Sequence, residues 1–257
     1  MLLECSNLSK SYGNVNALDG VSFALEEGIS FIIGPNGSGK TTFIKIMSNI
    51  IKPDSGKVKI LGRHYLGLKP GEIGFAFEKT VFPGFVKVED YLRTVGEIRG
   101  NDNSNEIISL FQLEKVREKR FSELSQGYKR RFLVASAFVG FPRVVFLDEP
   151  FSNVDITARK IMMEVFMGLR HGVNVVIVSH VFTNVERIDS LVLLRNGRVI
   201  GNLRGDELRG MNGFKASFDD GTVVINDVEK INELILGGKR LVSIEPVSLE
   251  SWLMERF

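Results

Sequence analysis

The sequence predicts an α/β fold with three parts: a mostly parallel sheet with helices on its faces, an antiparallel β subdomain and an inserted helical subdomain. Three short apolar runs, at residues 29–33, 144–147 and 173–178, have the length and composition of buried strands. Segments with helical periodicity alternate with these runs, an order that places helices against a parallel sheet. Residues 88–140 are helical in character and form the predicted insertion.

The first third of the chain combines strands of two kinds with one helix. Residues 2–8 and 20–26 alternate apolar and polar positions beside turn signals, which predicts antiparallel strands. After the first buried strand comes a glycine-rich loop, and the periodic segment 41–50 then predicts a helix. We expect further strands at 56–62 and 72–77.

Amphipathic helices dominate the middle of the chain. The predicted helices cover 88–99 and 105–113, and the polar loop 100–104 separates them. A third helix is expected from about residue 126 to residue 139. Another, at roughly 156–170, lies between the last two buried strands, as a parallel sheet requires.

The last quarter of the chain begins with a predicted hairpin. Residues 191–204 read as two strands, and Asn196 and Gly197 form the turn between them. Beyond this hairpin the sequence carries no strong motif. We therefore expect one domain at 1–205 and a small C-terminal extension at 206–257.

Composition and charge exclude several classes of protein. The chain has 257 residues, of which 44% are hydrophobic, enough to bury a full core. Its 33 basic and 31 acidic residues give a net charge of +2, so no nucleic-acid partner is expected. Cys5 is the one cysteine, which excludes an internal disulfide framework. No apolar run reaches the roughly 20 residues of a membrane span, so we expect a soluble, cytoplasmic protein unless a partner holds it at a membrane.

A glycine-rich motif follows the strand 29–33 and opens the next helix. It fits the pattern G-x-x-x-x-G-K-[ST] of a phosphate-binding P-loop. The glycines let backbone N–H groups converge on phosphate oxygens, Lys40 supplies charge to the β- and γ-phosphates, and the Thr41 hydroxyl can bind Mg²⁺. The helix N-terminus adds its positive dipole. The predicted ATP-binding residues of this segment are Gly34, Pro35, Asn36, Gly37, Ser38, Gly39, Lys40, Thr41 and Thr42.

The buried strand 144–147 is followed by two carboxylates. Charges that follow an apolar run are costly to bury unless they bind something. Asp148 can hold Mg²⁺ and complete the metal site that Thr41 begins. Glu149 is then placed to polarise an attacking water molecule.

A third motif lies near the end of the helical insertion. It reads Leu124-Ser125-Gln126-Gly127-Tyr128 and is followed by three basic residues. Together with the two motifs above, it resembles the LSGGQ signature of the ATP-binding cassette (ABC) ATPases, with Gln126 and Tyr128 as the departures. Ser125 and the Gly127 N–H at a helix N-terminus form a second anion-binding site. The resemblance implies that this site contacts the γ-phosphate bound by the opposite subunit.

The resemblance covers residues 2–205 and implies roles for four further residues. Tyr12 takes the place of the aromatic that stacks on adenine. Glu78 takes the place of the Q-loop glutamine and can accept Mg²⁺ or water, but it cannot donate as an amide does. Asp155 lies in the D-loop, facing the dimer partner. His180 is expected to bind the γ-phosphate and to act beside Glu149 in catalysis.

The family resemblance implies an ATP-hydrolysing subunit of a membrane transporter, with ATP and Mg²⁺ as cofactors. Its partners are then a second ATPase subunit, identical or homologous, and a separate transmembrane permease subunit. The docking groove for that permease would be built by residues 79–91 together with the helical insertion, with Phe82, Phe85 and Val86 as apolar contacts. The protein would then be peripheral on the inner face of the membrane through the permease. Residues 246–253 resemble the end of cassettes that serve exporters, which favours export, although one amphipathic helix explains this segment equally well.

Two other functions stay open from the sequence: a soluble ABC ATPase that acts on DNA or ribosomes, and a non-transport ATP-binding regulator. The stretch between Thr42 and Leu124 is too short for the coiled coil of chromosome and repair members. Ribosome-acting members carry two cassettes per chain, and this chain has one. The presence of Glu149 and His180 argues against a regulator that does not hydrolyse ATP.

Overall fold

The computed structural model describes residues 1–180, 188–209, 213–225 and 228–247. The strands are β1 (Leu3–Tyr12), β2 (Val15–Leu25), β3 (Ile29–Ile33), β4 (Ser55–Ile60), β5 (Arg63–His64), β6 (Ile73–Ala76), β7 (Val144–Asp148), β8 (Asn174–Ser179), β9 (Ser190–Arg195), β10 (Arg198–Arg204), β11 (Gly213–Phe218), β12 (Val223–Ile225) and β13 (Leu241–Val247). The α-helices are α1 (Lys40–Met47), α2 (Val88–Arg99), α3 (Ser104–Leu110), α4 (Gln126–Phe138), α5 (Ile156–Leu169), α6 (Gly205–Arg209) and α7 (Val228–Leu236). None of the described helices is long and apolar enough to cross a bilayer.

The central sheet has six strands in the order β10-β9-β3-β8-β7-β6. The five strands from β9 to β6 are mutually parallel, and β10 pairs antiparallel with β9. The predicted α/β fold with a mostly parallel sheet is confirmed. Because parallel strands end at one edge, the residues that follow β3, β6, β7 and β8 lie along the same rim.

The central sheet is buried on both faces. Val145 and Leu147 of β7 pack in the core that includes the helical insertion and α5. Val144 and Phe146, on the opposite face of the same strand, pack in a second core with α1 and the antiparallel sheet. This two-sided burial explains why the strand reads as a continuous apolar run.

The antiparallel sheet has the order β2-β1-β4-β5, and its first two strands are longer than predicted. The ladder between β1 and β2 extends to the pair Tyr12 and Val15. The sequence prediction stopped at residue 8 because the polar end of β1 is largely solvent-exposed and loses the apolar alternation. Backbone pairing with β2, and of Ser9 with Ser55 in β4, continues the strand regardless.

The helical insertion contains α2, α3 and α4, close to the predicted bounds. Gly100 ends α2 in the left-handed conformation, at φ +74°. Arg99 at the end of α2 donates to the carbonyl of Val139 at 2.6 Å, which ties the helix to the end of α4. By contrast, α1 ends at Met47, before the predicted end at residue 50, and the left-handed Asn49 follows it.

The C-terminal part of the chain forms a separate three-stranded sheet, in the order β12-β11-β13. Its small core contains Ala216, Phe218 and Ile231 of α7. Of the segment 246–253, the first two residues belong to β13, so the helical interpretation is wrong for them. The rest of that segment lies outside the described residues.

Candidate functional site

The glycine loop connects the C-terminal end of β3 with the first turn of α1. Gly39 directly precedes the helix at φ +107°, and a Cβ there would collide with the carbonyl oxygen of Ala17. Gly34 approaches the backbone of Leu194 so closely that no side chain fits. The loop therefore needs glycine at both ends, for conformation and space at Gly39 and for space at Gly34.

The Lys40 side chain lies inside its own loop. Its Nζ donates to the carbonyl oxygens of Gly34 at 2.6 Å and Pro35 at 2.9 Å. Burial lowers the pKa of this ammonium, while the nearby carboxylates of Glu149, Asp148 and Glu78 raise it. The loop thus holds a cation at its centre, beside three acidic residues.

The remaining loop residues expose polar groups around this cation. Asn36, Gly37 and Thr41 are exposed, and Thr42 is half-buried. Ser38 is buried, and its Oγ has no hydrogen-bond partner in the described part of the chain. An orphaned hydroxyl in a glycine loop fits a bound oxyanion, which would supply the missing acceptor.

Asp148 ends β7 and is almost fully buried. Burial raises the pKa of its carboxyl group to about 6, and the charges of Glu149 and Glu78 add to the effect. A buried carboxylate with acidic neighbours is a good ligand for a divalent cation, because a cation offsets the cost of its burial.

The Glu149 carboxylate is held by the end of β8. Its Oε2 accepts from Ser179 Oγ at 2.8 Å, and its Oε1 accepts from the His180 N–H at 2.7 Å. The His180 Nδ1 lies 2.8 Å from the same Oε1. Because a carboxylate only accepts, Nδ1 carries the proton and Nε2 is left for another partner. Glu149 itself adopts a left-handed backbone, at φ +49°.

Glu78 follows β6 at the same edge of the sheet. It lines a cleft of about 410 Å³ with Glu149, Ser152, Ser179 and His180. The structure therefore brings Glu78 into the group of residues that the sequence assigned to the metal and to catalysis.

Ser125 and Asp155 meet in a different cleft, of about 420 Å³, which Gly127 also lines. Ser125 is the N-cap of α4, and its Oγ accepts from the Tyr128 N–H at 3.4 Å. Asp155 is the N-cap of α5 and accepts from the Ala158 N–H at 2.7 Å. Three predicted site residues, Ser125, Gly127 and Asp155, are thus grouped with each other, apart from the cleft that Glu149 lines.

Tyr12 lies at the end of β1 with an exposed ring. Lys10 Nζ lies 5.9 Å from the centroid of that ring. The β9–β10 turn supports the glycine loop nearby, since the Gly197 N–H donates to the Ser38 carbonyl at 3.1 Å. In the antiparallel sheet, Tyr12 pairs with Val15 of β2, and the Ala17 carbonyl of β2 lies against Gly39, so the accessible ring belongs to the hairpin that contacts the glycine loop.

Sequence reasoning missed two side chains of this site, Ser179 and Arg130. Ser179 holds Glu149, as described above. Arg130 donates to backbone carbonyls at the ends of β6 and β7. Ser179 could have been found from its place beside His180 at the end of a strand. Arg130 could not, because it belongs to a basic run that indicates only the polar start of a helix.

A glycine loop between a parallel strand and a helix, with strand-end carboxylates at the same sheet edge, defines the class of P-loop nucleoside triphosphatases. The family model described as ABC transporter matches residues 18–152 of the chain. The chain belongs to this family, as an ATP-binding ATPase subunit.

Individual relatives and structures agree with this assignment. The probable sulfate/thiosulfate import ATP-binding protein CysA of Chlorella vulgaris is 32% identical over 212 residues, covering 78% of this chain and 90% of that protein. The probable multidrug ABC transporter ATP-binding protein YbhF of Escherichia coli (strain K12) is 29% identical over 222 residues, covering 82% of this chain and 38% of that protein. A solved structure of an ATP-binding subunit of an ABC transporter superposes with a TM-score of 0.72 at 27% identity, covering 81% of this chain and 92% of that one.

Proposed function

We propose that the protein binds ATP with Mg²⁺ at the glycine loop, hydrolyses it with Glu149 as general base, and drives a separate transmembrane permease as one half of a two-chain ATPase. The observation that carries this proposal is the Glu149 carboxylate, anchored by Ser179 and His180 at the sheet edge where the glycine loop begins. That placement suits a base acting on water beside the terminal phosphate.

The oxygen donors at the sheet edge fit a magnesium nucleotide. Thr41 presents a hydroxyl in the first turn of α1, and Asp148 presents a carboxylate at the end of β7, with Glu78 as a further acidic group. Such hard oxygen ligands suit Mg²⁺, which keeps phosphate oxygens and water as its other ligands. When bound, the metal neutralises charge that develops on the phosphates.

The chain's own residues divide the chemistry. Glu149 takes the proton of the attacking water, and Ser179 and His180 fix the orientation of its carboxylate. Lys40 and the loop N–H groups stabilise the charge on the β- and γ-phosphates. The Tyr12 ring stacks on the adenine ring of the nucleotide.

A second chain completes each site in this proposal. Ser125, Gly127 and Asp155 share a cleft that is separate from the cleft of Glu149, which supports their contact with a nucleotide held by another subunit. The 13-residue helix α4 directs its N-terminus, and hence its positive dipole, toward such an anion.

One of the residues predicted to contact the permease, Phe82, is partly buried and packs against the core. Val81 and Phe85 are exposed, with relative solvent accessibilities of 103% and 76%. Phe82 instead packs against Tyr91, Phe121 and Phe132 inside the helical insertion, so it supports the loop from within. Val86 is half-buried and stays in the prediction. Val81, Phe85 and Val86 therefore define the proposed permease-docking surface.

The proposal also includes a direction of transport. The relatives include an import protein and a multidrug transporter protein, so similarity alone supports neither direction. We retain export, which rests on the resemblance of residues 246–253 to exporter cassettes. The proposed location is the cytoplasmic face of the membrane, with no nucleic-acid partner.

Nucleotide binding and hydrolysis by the purified chain test the proposal directly. Lys40→Ala should weaken ATP binding, because it removes the cation at the centre of the loop. Lys45→Ala, on the exposed side of the same helix, is the matched control. An unchanged ATP affinity in Lys40→Ala, or no magnesium-dependent hydrolysis by the wild-type chain in the presence or absence of the permease, would contradict the proposal.

A further inference from the structure

Arg130 lies on α4, in the second turn after Ser125, and is 7% exposed. Among the described residues, its guanidinium group makes three hydrogen bonds, all to backbone carbonyls outside α4. Nη1 donates to Phe77 at 2.7 Å, Nε donates to Pro150 at 3.3 Å, and Nη2 donates to Asp148. One side chain therefore joins the helix of the signature motif to the ends of two central strands.

Each of these carbonyls belongs to a site residue or to the neighbour of one. Phe77 precedes Glu78, Asp148 carries the buried carboxylate, and Pro150 follows Glu149. A movement of the Arg130 fork therefore moves the peptide units that carry all three acidic side chains. A planar guanidinium can bridge three acceptors at once, and no other common side chain provides that geometry.

The charge of Arg130 matters as well as its shape. Burial lowers the pKa of Arg130, while Asp148, Glu78 and Glu149 raise it, so these carboxylates are the charges that compensate the buried guanidinium. Around the metal site, Lys40 and Arg130 face three carboxylates. Without Arg130, less positive charge would offset these carboxylates, and Glu78 would add more repulsion where we propose that the nucleotide phosphates bind.

We propose that Arg130 is a positioning residue that holds Glu78, Asp148 and Glu149 in their working arrangement and offsets the charge of Glu78. This inference rests on the proposed function. It predicts that loss of Arg130 impairs hydrolysis far more than it impairs nucleotide binding. It also predicts that the size of the defect depends on the charge at residue 78.

The test compares Arg130→Gln and Arg130→Lys with the control Lys129→Gln, which removes a charge from the preceding position on the same helix. Lys129 contacts the Phe121 ring rather than the carboxylate group. We expect Arg130→Gln to lower kcat at least tenfold while the Kd for a fluorescent ATP analogue changes less than threefold. Arg130→Lys keeps the charge without the three-carbonyl bridge, so its kcat should fall at least fivefold. Lys129→Gln should stay near the wild-type rate.

Glu78→Gln in each background separates charge from shape. The factor by which Glu78→Gln raises kcat should be at least three times larger in Arg130→Gln than in the wild type or in Arg130→Lys. Thermal unfolding of every variant, together with the nucleotide Kd, identifies any chain that fails to fold. If Arg130→Gln does not fold, the comparison of Arg130→Lys with the wild type is the test. Three results would overturn the inference. The first is a near wild-type kcat in Arg130→Lys or Arg130→Gln, and the second is a folded variant whose nucleotide affinity falls as much as its kcat. The third is an unchanged kcat when Glu78→Gln is added to Arg130→Gln. An inactive wild-type chain would instead overturn the proposed function.

Discussion

The Glu149 carboxylate accepts two hydrogen bonds from His180, one from its backbone N–H and one from its Nδ1. Both bonds end on the same oxygen, Oε1, and the Ser179 hydroxyl binds the other oxygen. The carboxylate is therefore fully oriented before any substrate arrives. Preorganisation of this kind lowers the cost of aligning a base during the reaction.

Glu149→Gln should keep ATP binding and lose most turnover. The amide preserves the size of the side chain and can still accept from His180, but it cannot take a proton from water. Losses from removing a general base are typically about 10²–10⁴-fold. ATPase rates and nucleotide affinity measure the effect, and Glu164→Gln on the exposed face of α5 is the control. A near wild-type rate in Glu149→Gln would remove Glu149 from the mechanism.

Asp148→Asn should stabilise the nucleotide-free protein at neutral pH. The folded-state pKa of Asp148 is raised from 3.8 to about 6, so the folded state favours the protonated form. The carboxyl therefore costs stability as pH rises from 3.8 through 6, and the cost levels off at about 3 kcal/mol above pH 6. Urea unfolding should show up to this gain at pH 7.5 and roughly half of it at pH 5. A gain of the same size at both pH values would show that titration of Asp148 is not its cause.

ATP should bring two chains together. Glu149→Gln with ATP and Mg²⁺ should shift from monomer toward dimer, because the trapped nucleotide bridges the two subunits. Adding Ser125→Arg should block this shift by filling the anion site at the start of α4. Light scattering measures the mass, and Ser109→Arg on the exposed side of α3 is the control. A fully active monomer under all ATP conditions would refute the shared site.

Glu78→Gln should keep or modestly raise the ATPase rate and shift its dependence on Mg²⁺. The carboxylate adds negative charge near the triphosphate, and bound Mg²⁺ screens most of the repulsion. Glu78→Ala should uncouple hydrolysis from the permease more than it damages the isolated subunit. Rates against Mg²⁺ concentration, with and without the permease, test both effects. One common curve and equal coupling for all three forms would make Glu78 an ordinary surface residue.

Phe85→Asp should abolish association with the permease and leave the ATPase rate of the isolated subunit unchanged. The ring is 76% exposed on the proposed docking surface, and a charge there disfavours burial in an apolar contact. Ile50→Asp, at an exposed apolar residue that follows α1 outside the helical insertion, is the control. Copurification with the permease is the measurement. Retained association would place the docking surface elsewhere.

Local sequence determined much of this protein. The glycine loop, the carboxylates at the end of β7 and the helix start at Ser125 depend on residues that are neighbours in the chain. Short-range backbone and side-chain preferences are enough to specify them. The apolar run of β7 also identified a strand buried on both faces. The polar end of β1 escaped prediction because its pairing with β2, not its own pattern, makes it a strand.

Only the tertiary structure decided which of these groups meet. Glu149 contacts Ser179 and His180 because β7 and β8 are adjacent and parallel, and strand order is not encoded in the periodicity of either strand. Arg130 reaches the carbonyls of Phe77, Asp148 and Pro150 only because α4 packs against β6 and β7. From sequence it was one charge in a basic run, since a hydrogen bond between residues far apart in the chain depends on packing that no local pattern records.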